Sequence, residues 1–221
     1  MGCKKPRKKW TGGRIEIKEP FNLRNLVEDY LKTPYECKYS DHLLNNKDGH
    51  ECYLDSLKST IDFIFGEPGN KPEGPYFING HQRFFRFPSR RKSIQETVKT
   101  LENSLSNQYD SFEELYNEVD GLDLYGFGDT TTYDYALRYG WSLNPKIQPQ
   151  KEVYVHSKPR EAALYLREKN YIKKDFGRTI PIENLPDEIK NSAMSAADIE
   201  HFLCCYKEYI EKLPENKKLK I

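Results

Sequence analysis

Apolar side chains recur along this chain with the i, i+3, i+4 rhythm of helices that bury one face. Phe21, Leu23, Leu26, Val27, Tyr30 and Leu31 keep that spacing until Pro34 ends the run. Leu54, Leu57, Ile61 and Ile64 predict a helix over 53–65, closed by Gly66 and Pro68. Ile94, Val98, Leu101 and Leu105 predict another over 93–105. Ser111 with Glu114 has the spacing of a capping box, ahead of Leu115 and Tyr116 on one face. A helix over 130–139 follows. Ser157 suits an N-cap, with Pro159 in the first turn of a helix through Ala162, Ala163, Leu164 and Leu166. A short helix is expected over 187–193. Ser195 with Asp198 opens a last helix carrying Ile199, Phe202, Leu203, Tyr206 and Ile210. Val153-Tyr154-Val155 alone has the β-branched, aromatic character of a strand or extended link.

Between these runs the chain is irregular. Residues 35–52 are rich in Asp, Asn, Lys and Gly, and residues 67–80 form a loop rich in Pro and Gly. Residues 1–20, with Gly12-Gly13 and Pro20, read as a basic flexible arm. Residues 21–221 read as a single helical globular domain, whose two lobes would meet near 106–111. No internal repeat or heptad array appears. The expected fold class is mainly α, with helices joined by irregular loops.

Composition agrees with a globular chain able to bury a core without staples. Of 221 residues, 37% are hydrophobic and 31% charged. The longest apolar stretches, such as Ile61-Asp62-Phe63-Ile64-Phe65, are far too short for a membrane span, so no membrane partner is expected. The start is basic and polar rather than an apolar leader, so a cytoplasmic location is expected. Five cysteines lack a disulfide-framework spacing and are expected to be reduced.

The formal net charge is only +1, but the charge is unevenly placed. Lys4, Lys5, Arg7, Lys8 and Lys9 form a basic arm. Arg83, Arg86, Arg90, Arg91 and Lys92 form a second cluster interleaved with Phe84, Phe85 and Phe87, and Lys217, Lys218 and Lys220 end the chain. Local patches of this kind bind phosphate even when the total charge is near zero. Arg83 and Arg86 are the cluster's candidate contacts, with stacking on the phenylalanines as the accompanying chemistry. The opposing reading sends Phe84 and Phe87 into the core.

The most informative segment is Leu124-Tyr125-Gly126-Phe127-Gly128-Asp129-Thr130-Thr131-Thr132. Two glycines flank one apolar residue between two helices. Glycine permits a tight reversal, and Phe127 is placed to plug the seam. A helix that starts at such a turn offers exposed backbone N–H groups to an anion. The candidate contacts are Gly126, Phe127, Gly128 and Thr130. Asp129, read as the N-cap, would compete for those same donors.

This segment resembles the hairpin of the helix-hairpin-helix family, Gly-apolar-Gly-x-x-Thr-Ala. Gly126, Phe127, Gly128 and Thr131 match, and Thr132 replaces the alanine. The likeness extends toward the helix-hairpin-helix DNA glycosylases over roughly residues 111–165. Gly140-Trp141 matches their glycine after the second helix, and Val153-Tyr154-Val155-His156 partly matches a Val-Asp-x-His segment, with Arg160 beyond it. The resemblance implies a helix-hairpin-helix-like element and contact with DNA or RNA through phosphates. It also implies loss of glycosylase chemistry. Tyr154 stands where the family's essential aspartate falls, Thr130 falls near its lysine nucleophile, and no four-cysteine iron–sulfur cluster is present.

Further candidate chemistry lies nearby. Asp134 and Arg138, four apart, form a surface pair on the simplest reading. The sharper reading places them with Tyr133 and His156 in one cleft, His156 moving a proton and Arg138 clamping an anion. His201 with Cys204 and Cys205 shares one helix, as a reactive pair or as core packing. Cys37, His42, His50 and Cys52 match no common zinc spacing, and neither a metal nor another cofactor is expected. Met1-Gly2-Cys3 resembles an acylated start, but Pro6 stands where serine or threonine is wanted. Three function classes stand at this point: nucleic-acid binding, an enzyme acting on nucleic acid or nucleotide, and a non-catalytic interaction scaffold. The sequence carries no signal of oligomeric state.

Overall fold

A computed structural model of the protein describes residues 22–32 and 91–216. Over these residues the chain is mainly α-helical. No described helix is long and apolar enough to cross a membrane. The expectations for the basic arm, for residues 35–90 and for the last five residues fall outside this range, among them Arg83, Arg86 and the Cys37, His42, His50, Cys52 group. The chain divides into two units. One is Leu43–Gln148 with Met1–Pro6, and the other is Pro149–Ile221 with Arg7–His42.

The first unit contains α2 (Arg91–Ser104), α3 (Phe112–Gly121) and α4 (Asp129–Ser142). Residues 105–111 link α2 to α3 inside it. Ser111 caps α3, its hydroxyl accepting the Glu114 N–H at 3.1 Å. The return half of the expected capping box is shifted by one residue, because the Glu114 carboxylate accepts the Asp110 N–H at 2.8 Å. Phe112, Leu115, Tyr116 and Val119 form the buried face of α3, which packs against α4.

Helix α4 lacks a single apolar stripe, and the structure shows why. Ten of its residues, from Thr131 to Trp141, are buried, so its tyrosines and threonines pack on nearly every side. Tyr139 anchors it by donating to the Ser106 carbonyl at 2.7 Å. Gly140 lies within α4 and does not mark its end, contrary to the expectation drawn from the glycosylase likeness. The chain returns there, and the Ile147 N–H donates to the Gly140 carbonyl at 2.8 Å. A Cβ at position 140 would collide with the Ile147 carbonyl oxygen.

The second unit contains α1 (Leu23–Lys32), β1 (Glu152–Tyr154), α5 (Ser157–Glu168), β2 (Thr179–Pro181), a 3-10 turn (Ile182–Asn184), α6 (Asp187–Lys190) and α7 (Ala196–Ile210). The two strands pair antiparallel, with Val153 opposite Ile180. Residues 153–155 therefore do begin with a strand, and its partner ends at Pro181, which cannot donate to a longer ladder.

Helix α7 is the central post of this unit. Its full capping box is formed, Ser195 accepting the Asp198 N–H and Asp198 accepting the Ser195 N–H, both at 3.1 Å. Ile199, Phe202, Leu203, Tyr206 and Ile210 are buried against α5, whose Ala162 and Ala163 permit close approach. Tyr30 of α1 makes edge contacts with Phe202 and Tyr206, ring centroids 5.6 and 6.0 Å apart. The start of α5 corrects the expected cap. His156 occupies the N-cap, and Ser157 is the first helical residue with φ of 43°, a left-handed conformation that costs a non-glycine residue free energy.

Candidate functional site

The turn between α3 and α4 has two bends. Asp123 takes a φ of 44° and Gly126 a φ of 87°, and the Phe127 N–H closes back on the Leu124 carbonyl at 2.9 Å. Gly128, not Asp129, is the N-cap of α4, with ordinary extended backbone. Asp129 is the first residue of the helix, where a carboxylate is favoured by the positive end of the helix dipole. Phe127 is half-buried with its ring 5.8 Å from that of Tyr135, so it packs onto α4. Thr130 is half-buried in the first turn. Tyr125, at the turn itself, is the exposed large hydrophobic residue among those described, at 51%.

The segment that forms this hairpin is acidic in sequence. Residues 110–129 contain seven carboxylates (Asp110, Glu113, Glu114, Glu118, Asp120, Asp123 and Asp129) and no Lys, Arg or His. Acidic side chains near Tyr109 leave a mark: burial first, then Glu118 as hydrogen-bond acceptor and neighbouring charge, hold its phenol far above the ordinary tyrosine range.

The three catalytic candidates fall in different units. Asp134 and Arg138 belong to the first, where the expected surface pair is corrected: Asp134 is only 3% exposed on the all-round-buried α4, and Arg138 is half-buried. His156 belongs to the second unit. Its Nε2 lies 3.4 Å from Oε1 of Glu200, and the two residues are 6% and 7% exposed. Glu200 was not singled out by the sequence, although a carboxylate amid Ala196, Ala197, Ile199, Phe202 and Leu203 is the kind of residue that needs a partner. Tyr154, which the resemblance aligned with the glycosylases' aspartate as an expectation only, is buried in β1.

A surface of opposite charge lies on the second unit. Residues 157–178 carry seven cations (Lys158, Arg160, Arg167, Lys169, Lys173, Lys174 and Arg178) against Glu161, Glu168 and Asp175. Two of those carboxylates are engaged, Glu161 with Lys207 of α7 and Asp175 with Arg167 at 2.6 Å. Arg160 and Arg167 stand seven residues apart on α5, hence two turns or about 10 Å along one face. The segment after α5 runs back beside that face. Arg160 Nη1 donates to the Gly177 carbonyl at 2.5 Å, the Arg167 guanidinium lies 5.8 Å from the Phe176 ring centre, and the Arg178 carbonyl accepts the Val155 N–H at 2.8 Å. Lys158, Arg160, Lys173, Lys174 and Arg178 are all exposed.

Two further features complete the unit. A depression of about 490 Å³ is lined by Gln150, Lys151, Glu152, Pro181, Ile182, Glu183 and Lys190. On α7, His201 Nδ1 is 3.1 Å from the Tyr30 hydroxyl and its Nε2 is 3.3 Å from Cys205 Sγ. Burial pushes the His201 imidazole down to about 4, against a smaller opposing pull from Asp198. Among the described residues no group of three or more His, Cys, Asp or Glu side chains is placed to hold a metal ion.

No protein-family model, curated protein or solved structure matches the chain.

Proposed function

We propose that this protein binds nucleic acid through the phosphate backbone, without glycosylase chemistry, and that the contact surface is the cationic face of α5 and residues 173–178. The observation that carries this reading is the concentration of exposed Lys158, Arg160, Lys173, Lys174 and Arg178 around one helix. Phosphate contacts by lysine and arginine release condensed counterions and need no base recognition. In this reading α3, the glycine turn and α4 form the helix-hairpin-helix-like element. Its glycines serve the chain reversal, and its carboxylates turn the nucleic acid away from it. The missing carboxylate at Tyr154 is the reason no base excision is assigned.

The test is fluorescence anisotropy with labelled DNA and RNA over a range of salt. Affinity is expected to fall steeply as salt rises, with a log–log slope of about −0.9 per phosphate neutralised on duplex. Arg160→Glu combined with Lys174→Glu is expected to weaken binding by more than about tenfold while circular dichroism stays unchanged. Absence of binding at low salt, or unchanged binding by that folded variant, overturns the reading.

One observation favours a second reading, an interaction scaffold. Tyr125 is exposed amid carboxylates, a surface suited to a cationic protein partner. A basic peptide captured by the wild type and released by Tyr125→Ala, with no nucleic acid bound at low salt, selects that reading instead.

A further inference from the structure

We infer that the nucleic acid taken by this surface is single-stranded, its backbone following the seam between α5 and residues 173–178 and one base stacking on the Arg167–Phe176 pair. The inference rests on the phosphate-binding role proposed for that face, and it names the class of nucleic acid the face fits.

The seam follows from the geometry of α5. Pro159, Ala162, Ala163 and Leu166 are its buried side. At about 100° per residue, Glu161 and Glu168 come to the opposite side, and both are exposed. Arg160 and Arg167 lie on the flank between. Residues 175–177 run antiparallel along that flank, with Asp175 and Phe176 beside Arg167 and Gly177 beside Arg160. Arg178 follows, its carbonyl joined to the Val155 N–H just ahead of the helix. Read from one end, the seam carries Lys173 and Lys174, then Arg167, Arg160 and Arg178. The cations form one row.

A single row suits one strand. A groove reader needs a helix or a two-stranded ribbon that presents its outer edge to the bases. The outer edge of α5 carries Glu161 and Glu168 instead of the arginines. The β1–β2 ribbon has three residues per strand, and its Val153, Tyr154 and Ile180 are buried. Neither element of this unit is suited to enter a major groove.

The row also contains a stacking platform. Phe176 is half-buried and packs against the core of the unit. The Arg167 guanidinium lies over its ring, 5.8 Å from the centre, and Asp175 accepts from Arg167 Nη1 at 2.6 Å. Even so, the Arg167 side chain keeps 37% of its surface exposed. A planar cation held beside a ring offers a base a flat, charged surface, and unpaired bases stack on guanidinium planes and aromatic rings alike. In a duplex the bases are stacked on one another, so the platform has nothing to engage.

The test is anisotropy titration of the full-length protein with labelled oligo(dT) and oligo(U) of about 12 nucleotides, the same oligo(dT) annealed to its complement, and an abasic oligomer of equal length. The tighter-bound single strand is expected to exceed the duplex in affinity by about tenfold or more, and the abasic oligomer to bind about tenfold more weakly than oligo(dT). Phe176→Leu keeps an apolar group against the core, and Arg167→Lys keeps the charge but loses the plane. Each is expected to weaken single-strand binding by about threefold to tenfold and to leave the abasic oligomer unaffected. Circular dichroism checks that both variants fold; if either does not, the wild-type comparison of oligo(dT) with the abasic oligomer decides. A duplex bound as tightly as the single strands, or an abasic oligomer bound as tightly as oligo(dT), overturns the inference and leaves the phosphate-binding reading in place. No binding of any oligomer at low salt overturns both.

Discussion

His156 and Glu200 face each other across the second unit, Nε2 to Oε1 at 3.4 Å, with both residues withdrawn from solvent. The contact joins the N-cap of α5 to the second turn of α7, beside the left-handed Ser157. A buried polar group is tolerated only when it is partnered, so the pair fixes how the start of α5 meets α7.

Removing one partner should therefore cost far more than removing both. Glu200→Ala and His156→Ala are each expected to destabilise the fold by about 2–4 kcal/mol, because the group left behind stays buried. In urea titrations the double variant should lose less than the sum, with a coupling of more than about 1 kcal/mol. Strictly additive losses would show that the contact contributes nothing.

The glycines near and within α4 should respond unequally to alanine. Gly126 needs its positive φ, so Gly126→Ala is expected to cost about 1 kcal/mol. Gly140→Ala pushes a methyl into the Ile147 carbonyl and should cost about 1–3 kcal/mol. Gly128 has φ of −90° and no atom within 4 Å of an added Cβ, so Gly128→Ala is expected to change stability by less than about 1 kcal/mol. Thermal melts of the three variants check the ranking. If Gly128→Ala proves the most damaging, the second glycine of the motif has a duty that the turn geometry does not explain.

What could be read from the chain depended on how local its cause is. The Ser195 cap and the buried stripe of α7 follow from residues within a few positions of each other, and the structure reproduces both. The buried stripe of α1, Leu23, Leu26, Val27 and Tyr30, was equally legible from its spacing. The burial of Asp134 was not, since α4 packs on nearly every side and a helical stripe is the wrong template for it. Glu200 escaped for another reason: its partner lies 44 residues away in sequence, and no spacing rule spans that gap. The shift of the N-cap from Ser157 to His156 rests on a left-handed residue that a capping preference favouring serine does not foresee. As for the cationic face, its charges were visible in the sequence, but only the return of residues 175–178 along α5 gathers them.

The buried imidazole of His201 makes stability depend on pH in a stated window. Its folded-state value of about 4 lies below the unfolded 6.5, chiefly through desolvation. Between those values the unfolded chain binds the extra proton, so stability rises with pH. The contribution is complete above about pH 6.5 and lost as the pH falls toward about 4, up to about 3 kcal/mol in all. Urea midpoints of wild type and His201→Gln across this range provide the check. The wild type should lose stability faster on acidification than the variant, and parallel curves would remove His201 as the cause.

The two charged surfaces make opposite demands on nucleic-acid affinity, and this separates them. If the contact is made by α5 and residues 173–178, neutralising the hairpin with Asp123→Asn and Asp129→Asn should leave the dissociation constant within about twofold and the salt slope unchanged. A nucleic acid that instead seats on the glycine turn would gain from the same change, because two carboxylates no longer repel its phosphates. Affinity should then rise by about tenfold or more, since each carboxylate beside a phosphate opposes binding by about 1 kcal/mol. Anisotropy titrations of the double variant at two salt concentrations distinguish the outcomes. A large gain would move the interface from the cationic face to the hairpin.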